Sequence, residues 1–145
     1  MSFSEKDIVY MQLALDEARS ASQNGEIPVG AVLVDAKSDR IIAKAGNTRE
    51  TKHSALGHAE INAIADGCAA LGSWRLSDCT LYVTLEPCPM CAGAILNARI
   101  PRVVCGAMDP VAGAMGSVWS LHEHPIQSNH VNLESGCLEQ ECRKC

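Results

Sequence analysis

Apolar residues recur at helical spacing near the start of the chain and predict an amphipathic helix over residues 5–23. Its apolar positions lie three or four residues apart: Ile8, Met11, Leu15 and Ala18. The pair Asn24-Gly25 follows, and such residues favour the end of a helix. The same spacing predicts a helix from 58 to the glycine at 72, and another over 89–98, where proline suits the first turn.

Compact apolar runs bounded by turn residues predict five strands. The first two, at 29–34 and 41–45, are separated by a polar segment that indicates a hairpin turn. The other three runs lie at 80–85, 103–105 and 131–133. One helical turn is predicted over 117–121, and a helix starts at Leu138. Strands that alternate with helices imply an α/β domain with helices on both faces of its sheet.

The composition indicates one globular domain over residues 1–145. The chain has 145 residues, of which 47% are apolar and 20% are charged, which is enough for a single hydrophobic core. The formal net charge is −5. Overall charge therefore does not indicate a nucleic-acid partner, and such a site would have to be a local patch.

The N-terminus is polar and acidic, without the basic and apolar regions of a signal peptide. No apolar run is long enough to span a bilayer. We therefore expect a cytoplasmic protein with no membrane partner. The chain has eight cysteines, and in that compartment reduced thiols with a metal site are favoured over a disulfide scaffold.

Candidate metal ligands and a candidate proton carrier lie in two short motifs, His58-Ala59-Glu60 and Pro87-Cys88-Pro89-Met90-Cys91. Together they match H-x-E followed by P-C-x-x-C, the signature of zinc-dependent nucleobase and nucleoside deaminases. His58, Cys88 and Cys91 can hold Zn²⁺ on three sides and leave the fourth position for water, whose pKa zinc lowers towards about 7. Glu60 is then expected to move protons as general base and acid.

Plainer interpretations of these residues remain alongside the catalytic one. C-x-x-C between a strand and a helix is also typical of thiol-redox proteins, although that interpretation leaves His58 and Glu60 without a role. A structural zinc site would need a fourth protein ligand, such as His53. Glu60 taken alone could be a carboxylate that merely suits a helix N-terminus. We expect a catalytic zinc site because the signature, the spacing and the local structure agree.

Six longer segments extend the two motifs: 26–32, 57–60, 72–76, 81–94, 99–104 and 113–117. Together they resemble the bacterial tRNA-specific adenosine deaminases, within the cytidine and deoxycytidylate deaminase-like zinc deaminases, from about residue 7 to 143. The resemblance implies a cytidine deaminase-like three-layer α/β/α fold with a five-stranded mixed sheet. It also implies a homodimer with one Zn²⁺ per subunit, which hydrolytically deaminates adenosine to inosine at the wobble position of a tRNA anticodon.

The same resemblance implies four contacts with the flipped adenosine and its anticodon loop. Asn47 hydrogen-bonds the nucleoside, and Ala59 contributes a backbone contact to the base. Asp109 and Asn129 contact the loop, and Ile27-Pro28-Val29 forms an apolar wall of the pocket. Asn47 and Asp109 could instead be turn residues, and Asn129 could end a strand.

The chain departs from the family pattern at two places. The family usually has a basic residue two positions after the aspartate, where this chain has Val111, so one phosphate contact is expected to be missing. The family also continues into a C-terminal helix that is expected to be short or truncated here, since the chain stops at Cys145. Arg49 and Lys52 could meet phosphates or be solvated loop charges. A guanine deaminase-like enzyme for a free purine base or nucleoside stays open as the alternative.

The remaining cysteines and two histidines are assigned to the core or the surface. Cys68, Cys79 and Cys105 are expected in the core. The tail residues Cys137, Cys142 and Cys145 are expected to be exposed thiols rather than a second metal site. His122 and His124 are expected at the surface or in a loop.

Overall fold

The structure, a computed structural model, describes residues 2–124 and 130–145. Its elements in chain order are α1 (Glu5–Gln23), β1 (Gly30–Asp35), β2 (Arg40–Gly46), α2 (Ala59–Leu71), β3 (Cys79–Leu85), α3 (Pro89–Asn97), β4 (Arg102–Ala107), a 3-10 turn (Leu121–Glu123), β5 (Asn132–Ser135) and α4 (Glu139–Arg143). The three longer helices and the five strands lie within a few residues of their predicted positions. Across the described residues, no helix combines the length and apolar character needed to cross a membrane.

The five strands form one mixed sheet in the order β2-β1-β3-β4-β5. β1 runs antiparallel to β2 and β3, whereas β3, β4 and β5 are parallel to one another. The predicted five-stranded mixed sheet is therefore confirmed. Because β1 starts beside the point where antiparallel β3 ends, the chain segments before Gly30 and after Leu85 meet at the same end of the sheet.

Side chains along β1 alternate between the two faces of the sheet. Ala31 and Leu33 pack in the larger core with residues of α2 and α3. Val32 and Val34 pack on the opposite face with α1 and with Cys142 of α4. The result is three layers, with helices on both faces as the alternation of strands and helices predicts.

Local signals fix where α1 begins and how closely it approaches the sheet. Ser4 Oγ accepts a hydrogen bond from the N–H of Asp7 at 3.1 Å, and the N–H of Ser4 donates to Asp7 Oδ2 at 3.2 Å. This reciprocal capping satisfies two N–H groups that the helix itself leaves free. Gly30 then allows α1 to lie directly on β1, because a Cβ at that position would collide with the carbonyl oxygen of Ala14.

A buried ion network joins α1 to β3, β4 and β5. Arg102 lies 3.0 Å from Asp7 Oδ2 and 2.6 Å from Glu134 Oε2, and the Tyr82 hydroxyl donates to Asp7 Oδ1 at 2.6 Å. Burial by itself raises the pKa of Asp7, but the hydrogen bonds from Arg102 and Tyr82 outweigh it and lower that pKa to about 2. Asp7 therefore stays ionised, although it is only 6% exposed.

The segment after β4 differs from the prediction. The expected helical turn over 117–121 is wrong, since the short helix is the 3-10 turn Leu121–Glu123 and Met115 pairs with Ser120 in an isolated bridge. His122 is buried rather than at the surface. This difference has a tertiary cause, because the 3-10 turn packs against α3. No local sequence pattern predicts that contact.

The cysteines of the tail are also not what the sequence suggests. Cys137 and Cys142 are buried in the core on the α1 side of the sheet, and only Cys145 is partly exposed. Burial raises the pKa of Cys137 to about 11 and that of Cys142 to about 12. The expectation of three exposed thiols is therefore wrong for two of them, because α4 folds back onto β4.

Candidate active site

Two helix N-termini meet at the end of the sheet where β1 starts and β3 ends. His58 is the N-cap of α2, Cys88 is the N-cap of α3, and Cys91 lies in the first turn of α3. The Nδ1 of His58 lies 3.6 Å from Cys88 Sγ and 3.5 Å from Cys91 Sγ. The positive ends of both helix dipoles favour thiolates at this point.

The three side chains fit a zinc ion. Their ligand atoms all lie within 4.8 Å of one another. Zinc at about 2.3 Å from sulfur and about 2.0 Å from nitrogen, with tetrahedral angles, sets a nitrogen–sulfur separation of about 3.5 Å. In the described part of the chain His53 does not belong to this group. The donor set therefore leaves one coordination position open, as catalytic zinc sites do.

The protonation of the two thiols suits a cation. The hydrogen bond between them is the main cause that lowers the pKa of Cys88 to about 5 and that raises the pKa of Cys91. A bound cation supplies the charge that lets both cysteines ligate as thiolates.

Glu60 lies in the first turn of α2, at the same site. It is the second residue of α2, is only 4% exposed and lines the same cavity as His58 and Cys88. Burial raises the pKa of Glu60 to about 7. A carboxyl with that pKa can both accept and give up a proton near neutral pH, as a general acid and base must. At a zinc site His58 is a metal ligand and Glu60 is a proton carrier. The thiol-redox interpretation gives neither residue a role.

A cavity of about 490 Å³ opens onto these groups. Its volume is in the range of sites that bind small organic ligands. Ile27 and Val29 supply an apolar side of it, as the family resemblance implies. Pro28 does not, because it lines a separate groove with Arg19 and Glu141. The predicted wall is therefore right at two of its three positions.

The family model for the cytidine and deoxycytidylate deaminase zinc-binding region matches residues 4–107, a stretch that contains all three candidate ligands and Glu60. The chain belongs to this family. It is 47% identical over 137 residues to the tRNA-specific adenosine deaminase of Bacillus subtilis (strain 168), which covers 94% of this chain and 84% of that protein. The resemblance seen in the sequence is thereby confirmed, and this zinc-dependent deaminase takes one Zn²⁺ per subunit.

Solved structures agree with that assignment. A structure from biochemical and structural studies of A-to-I editing by tRNA:A34 deaminases, at the wobble position of transfer RNA, has a TM-score of 0.89 and 45% identity, over 94% of this chain and 97% of that one. A guanine deaminase from Bacillus subtilis has a TM-score of 0.69 and 31% identity, over 90% of this chain and 83% of that one. The cytidine deaminase-like fold is therefore confirmed, and the guanine deaminase alternative is the weaker one.

Asn47 lies in the cavity of the deaminase and is held by the start of α2. Its Oδ1 accepts a hydrogen bond from the N–H of Ala59 at 2.8 Å. Because a backbone N–H can only donate, the oxygen of the amide must face it, and Nδ2 is the atom that Asn47 can offer to a ligand. Ala59 is fully buried, and its N–H is engaged by this bond. Its expected contact with the base stays a prediction.

Asp109 also lines the cavity, and it forms a turn of its own. Its Oδ1 accepts hydrogen bonds from the N–H groups of Val111 at 3.0 Å and Ala112 at 3.2 Å. This is the turn geometry that aspartate before proline favours. Asn129, the fourth expected substrate contact, lies outside the described residues.

Sequence reasoning assigned no role to two buried carboxylates of the cavity. The first, Glu26, precedes β1 and accepts hydrogen bonds from the N–H groups of Glu50 at 3.1 Å and Thr51 at 2.7 Å. It thereby anchors the loop between β2 and α2. A single carboxylate between the Asn24-Gly25 pair and the apolar Ile27-Pro28-Val29 is the only sequence signal that marks it.

The second carboxylate, Glu86, follows β3 and anchors the loop after β4. It accepts hydrogen bonds from the N–H groups of Asp109 at 2.9 Å, Met115 at 3.0 Å and Ser117 at 3.0 Å, and one from the Ser117 hydroxyl. It is only 2% exposed. Both loops that border the cavity are therefore fixed by a buried glutamate at the same end of the sheet.

Proposed function

We propose that the protein converts adenosine to inosine, by hydrolytic deamination, at the wobble position of a tRNA anticodon. The observation that carries the proposal is a group of three zinc ligands beside a buried glutamate, at a cavity of about 490 Å³. The chain that holds this site is similar over 94% of its length to a tRNA-specific adenosine deaminase. The high similarity to a tRNA:A34 deaminase structure supports the RNA substrate over a free base.

His58, Cys88 and Cys91 hold the zinc ion in this proposal. Zinc, when bound, supplies a Lewis acid that makes water a nucleophile at neutral pH. The three protein ligands leave one position open, and the two helix N-termini hold the ligands in place before any substrate enters.

Glu60 carries the protons of the reaction. The attacking water adds its oxygen to the carbon that bears the amino group, and its proton passes to the Glu60 carboxylate. Glu60 returns that proton to the ring nitrogen, and it then takes the proton of the added hydroxyl and passes it to the amine as the C–N bond breaks, so that adenosine and water give inosine and ammonia. Burial of Glu60, which raises its pKa to about 7, suits both directions of transfer.

The substrate contacts rest on the cavity and on the family resemblance. Asn47 donates from Nδ2 to the flipped nucleoside, and Ala59 gives a backbone contact to the base. Asp109 and Asn129 contact the anticodon loop. Ile27 and Val29 pack against the nucleoside from the apolar side of the cavity.

The proposal extends to the state of the protein. Residues 1–145 form a single deaminase domain, and two copies form a homodimer with the active site near the interface. The partner is a tRNA anticodon loop with the adenosine flipped out of its stack, and the protein works in the cytoplasm. These statements rest on the family resemblance and on the single sheet with its two cores.

The test measures inosine in an anticodon stem-loop RNA that carries adenosine at the wobble position, with Glu60→Ala as the blank. Free adenosine and free guanine are supplied in parallel reactions. Inosine that forms in the RNA only with the unaltered protein supports the proposal. Deamination of free guanine or adenosine, with none in the RNA, would replace it with the free-purine alternative.

A further inference from the structure

Glu26 is a buried carboxylate whose partners are backbone groups rather than cations. It is only 6% exposed, and the N–H of Glu50 lies 3.1 Å from each of its oxygens. The N–H of Thr51 donates to Oε2 at 2.7 Å. In the described residues no ion pair includes Glu26. Its charge is therefore balanced by two N–H groups of the loop between β2 and α2. Because Glu26 lies in the segment just before β1, these bonds fix the loop relative to that strand.

These bonds hold the tip of the loop that joins β2 to α2. The base of that loop closes on itself, with the N–H of Thr48 donating to the Gly57 carbonyl at 2.8 Å and the N–H of Ser54 donating to the Arg49 carbonyl at 3.0 Å. Glu26 is the group outside the loop that meets its tip, since Glu50 and Thr51 donate to it across 24 and 25 residues of chain. These hydrogen bonds therefore tie the tip of the loop to the segment before β1, at the edge of the cavity.

Arg49 stands next to the anchored residues and at the opening of the active-site cavity. It lines the cavity and is exposed to solvent. No ion pair in residues 2–124 and 130–145 engages its guanidinium. In a chain with a formal net charge of −5, a free cation beside the site is what an anionic substrate needs.

We propose that Glu26 is a positioning residue for RNA recognition: it holds Arg49 at the opening of the cavity, where the guanidinium binds a phosphate of the anticodon loop. The inference rests on the proposed function and adds a residue that acts through another. The hydrogen bonds of the Glu26 side chain within the described residues go to the backbone of Glu50 and Thr51 and not to a zinc ligand. The loop is fixed before RNA arrives, so that Arg49 loses little freedom on binding.

The test compares E26Q, R49A and the double variant E26Q/R49A on the stem-loop RNA. In E26Q one oxygen becomes an NH2 group, which cannot accept from the Glu50 N–H, and the remaining oxygen is uncharged, so the anchor is weakened at nearly constant volume. We expect E26Q and R49A each to raise KM about tenfold, the cost of one hydrogen bond to a charged group, with kcat within about twofold and zinc content unchanged. Each should also reduce the slope of log KM against log salt by about 0.7, as loss of one single-strand phosphate contact does.

The double variant decides whether Glu26 acts through Arg49. The inference expects E26Q/R49A to resemble R49A alone, since one contact cannot be lost twice. E50Q is the matched control, because it removes one negative charge from the loop that Glu26 anchors but keeps the backbone donor, and it should not raise KM. Should E26Q fail to fold, E26D takes its place, since it withdraws the oxygens by one methylene but keeps the charge.

Several outcomes would overturn the inference. One is a wild-type salt slope in E26Q or E26D. Another is a rise in KM in the double variant that equals the sum of the two single effects on a logarithmic scale. A third is a loss of zinc that accompanies the rise in KM. Wild-type KM in R49A would do the same, because Arg49 would then bind no phosphate. If the unaltered protein forms no inosine in RNA, the proposed function itself is contradicted. That result is obtained before any variant is made, so it is distinguishable from a failure of the inference about Glu26.

Discussion

Asn47 Oδ1 accepts a hydrogen bond from the N–H of Ala59 at 2.8 Å, which ties the residue after β2 to the first residue of α2. This bond couples the loop beside the cavity to the helix that carries Glu60 and follows His58. The same side chain that is expected to meet the nucleoside therefore also holds part of the catalytic frame. The two roles can be separated, because one uses Oδ1 and the other uses Nδ2.

Replacement of Asn47 by Asp or by Ala should separate those roles. N47D keeps an acceptor for the N–H of Ala59, so its stability should stay close to wild type, whereas N47A should lose about 1 kcal/mol. Both lack the Nδ2 donor, so kcat/KM on the RNA should fall at least about tenfold in each. Urea unfolding and single-turnover kinetics measure the two effects. Full activity in N47D would show that Nδ2 does not bind the substrate.

Metal binding and turnover should separate at Cys91 and Glu60. C91A removes a ligand, so zinc and activity should both be lost, and the fold should be destabilised at its catalytic end. E60Q should keep one Zn²⁺ per chain and lose turnover, because the amide cannot carry a proton. Elemental analysis of the purified variants beside the inosine assay checks both. Normal turnover in zinc-loaded E60Q would remove Glu60 from its proposed role.

The buried pair of Asp7 and Arg102 should make stability depend on acid. The pKa of Asp7 is lowered to about 2 in the folded protein, below its unfolded value, so the pair stabilises fully above the unfolded pKa and its contribution is lost as pH falls through about 2. The contribution at neutral pH is about 2 kcal/mol. Urea unfolding from pH 7 to pH 2 measures it. D7N should be less stable at pH 7 and should lose that part of the acid dependence, and an unchanged pH profile in D7N would contradict this account.

Two glycine substitutions should change stability in opposite directions. G30A forces a Cβ against the Ala14 carbonyl of α1, so the helix must move away from β1, which should cost about 3 kcal/mol. At Gly93 in α3 a Cβ meets nothing within 4 Å, so G93A should gain about 0.5 to 1 kcal/mol from its better helix propensity. Thermal unfolding of the two variants compares them directly. Equal effects would show that the close approach of α1 at Gly30 does not limit packing.

The sequence was most informative where structure is set by neighbours along the chain. Asn24 ends α1 as its C-cap, and Gly72 ends α2 with a left-handed φ of 62°. The ligands Cys88 and Cys91 share a turn of α3, and the chemistry of zinc restricts what their partner can be. These features could be predicted because propensity, capping and ligand spacing act locally.

Features that depend on distant partners could not be predicted in this way. The bond from Ser117 to Glu86 spans 31 residues, and the bond from Arg102 to Asp7 spans 95. His122 and Cys137 are buried because later segments fold back on α3 and β4, and neither has a local pattern that differs from a surface residue. A single carboxylate next to an apolar segment is the only hint for Glu26 and for Glu86, and it does not indicate which groups the carboxylate binds.

Glu26 and Glu86 hold the two loops beside the cavity mainly by main-chain N–H groups, which every residue except proline possesses. These anchoring bonds therefore place no requirement on the side chains of the residues that donate them. Substitutions along these loops can alter what the site recognises while the backbone trace is conserved. The residues that fix the loop backbone are therefore different from the residues that decide which substrate binds. Substrate specificity can change through the loop side chains while the scaffold of the enzyme stays the same.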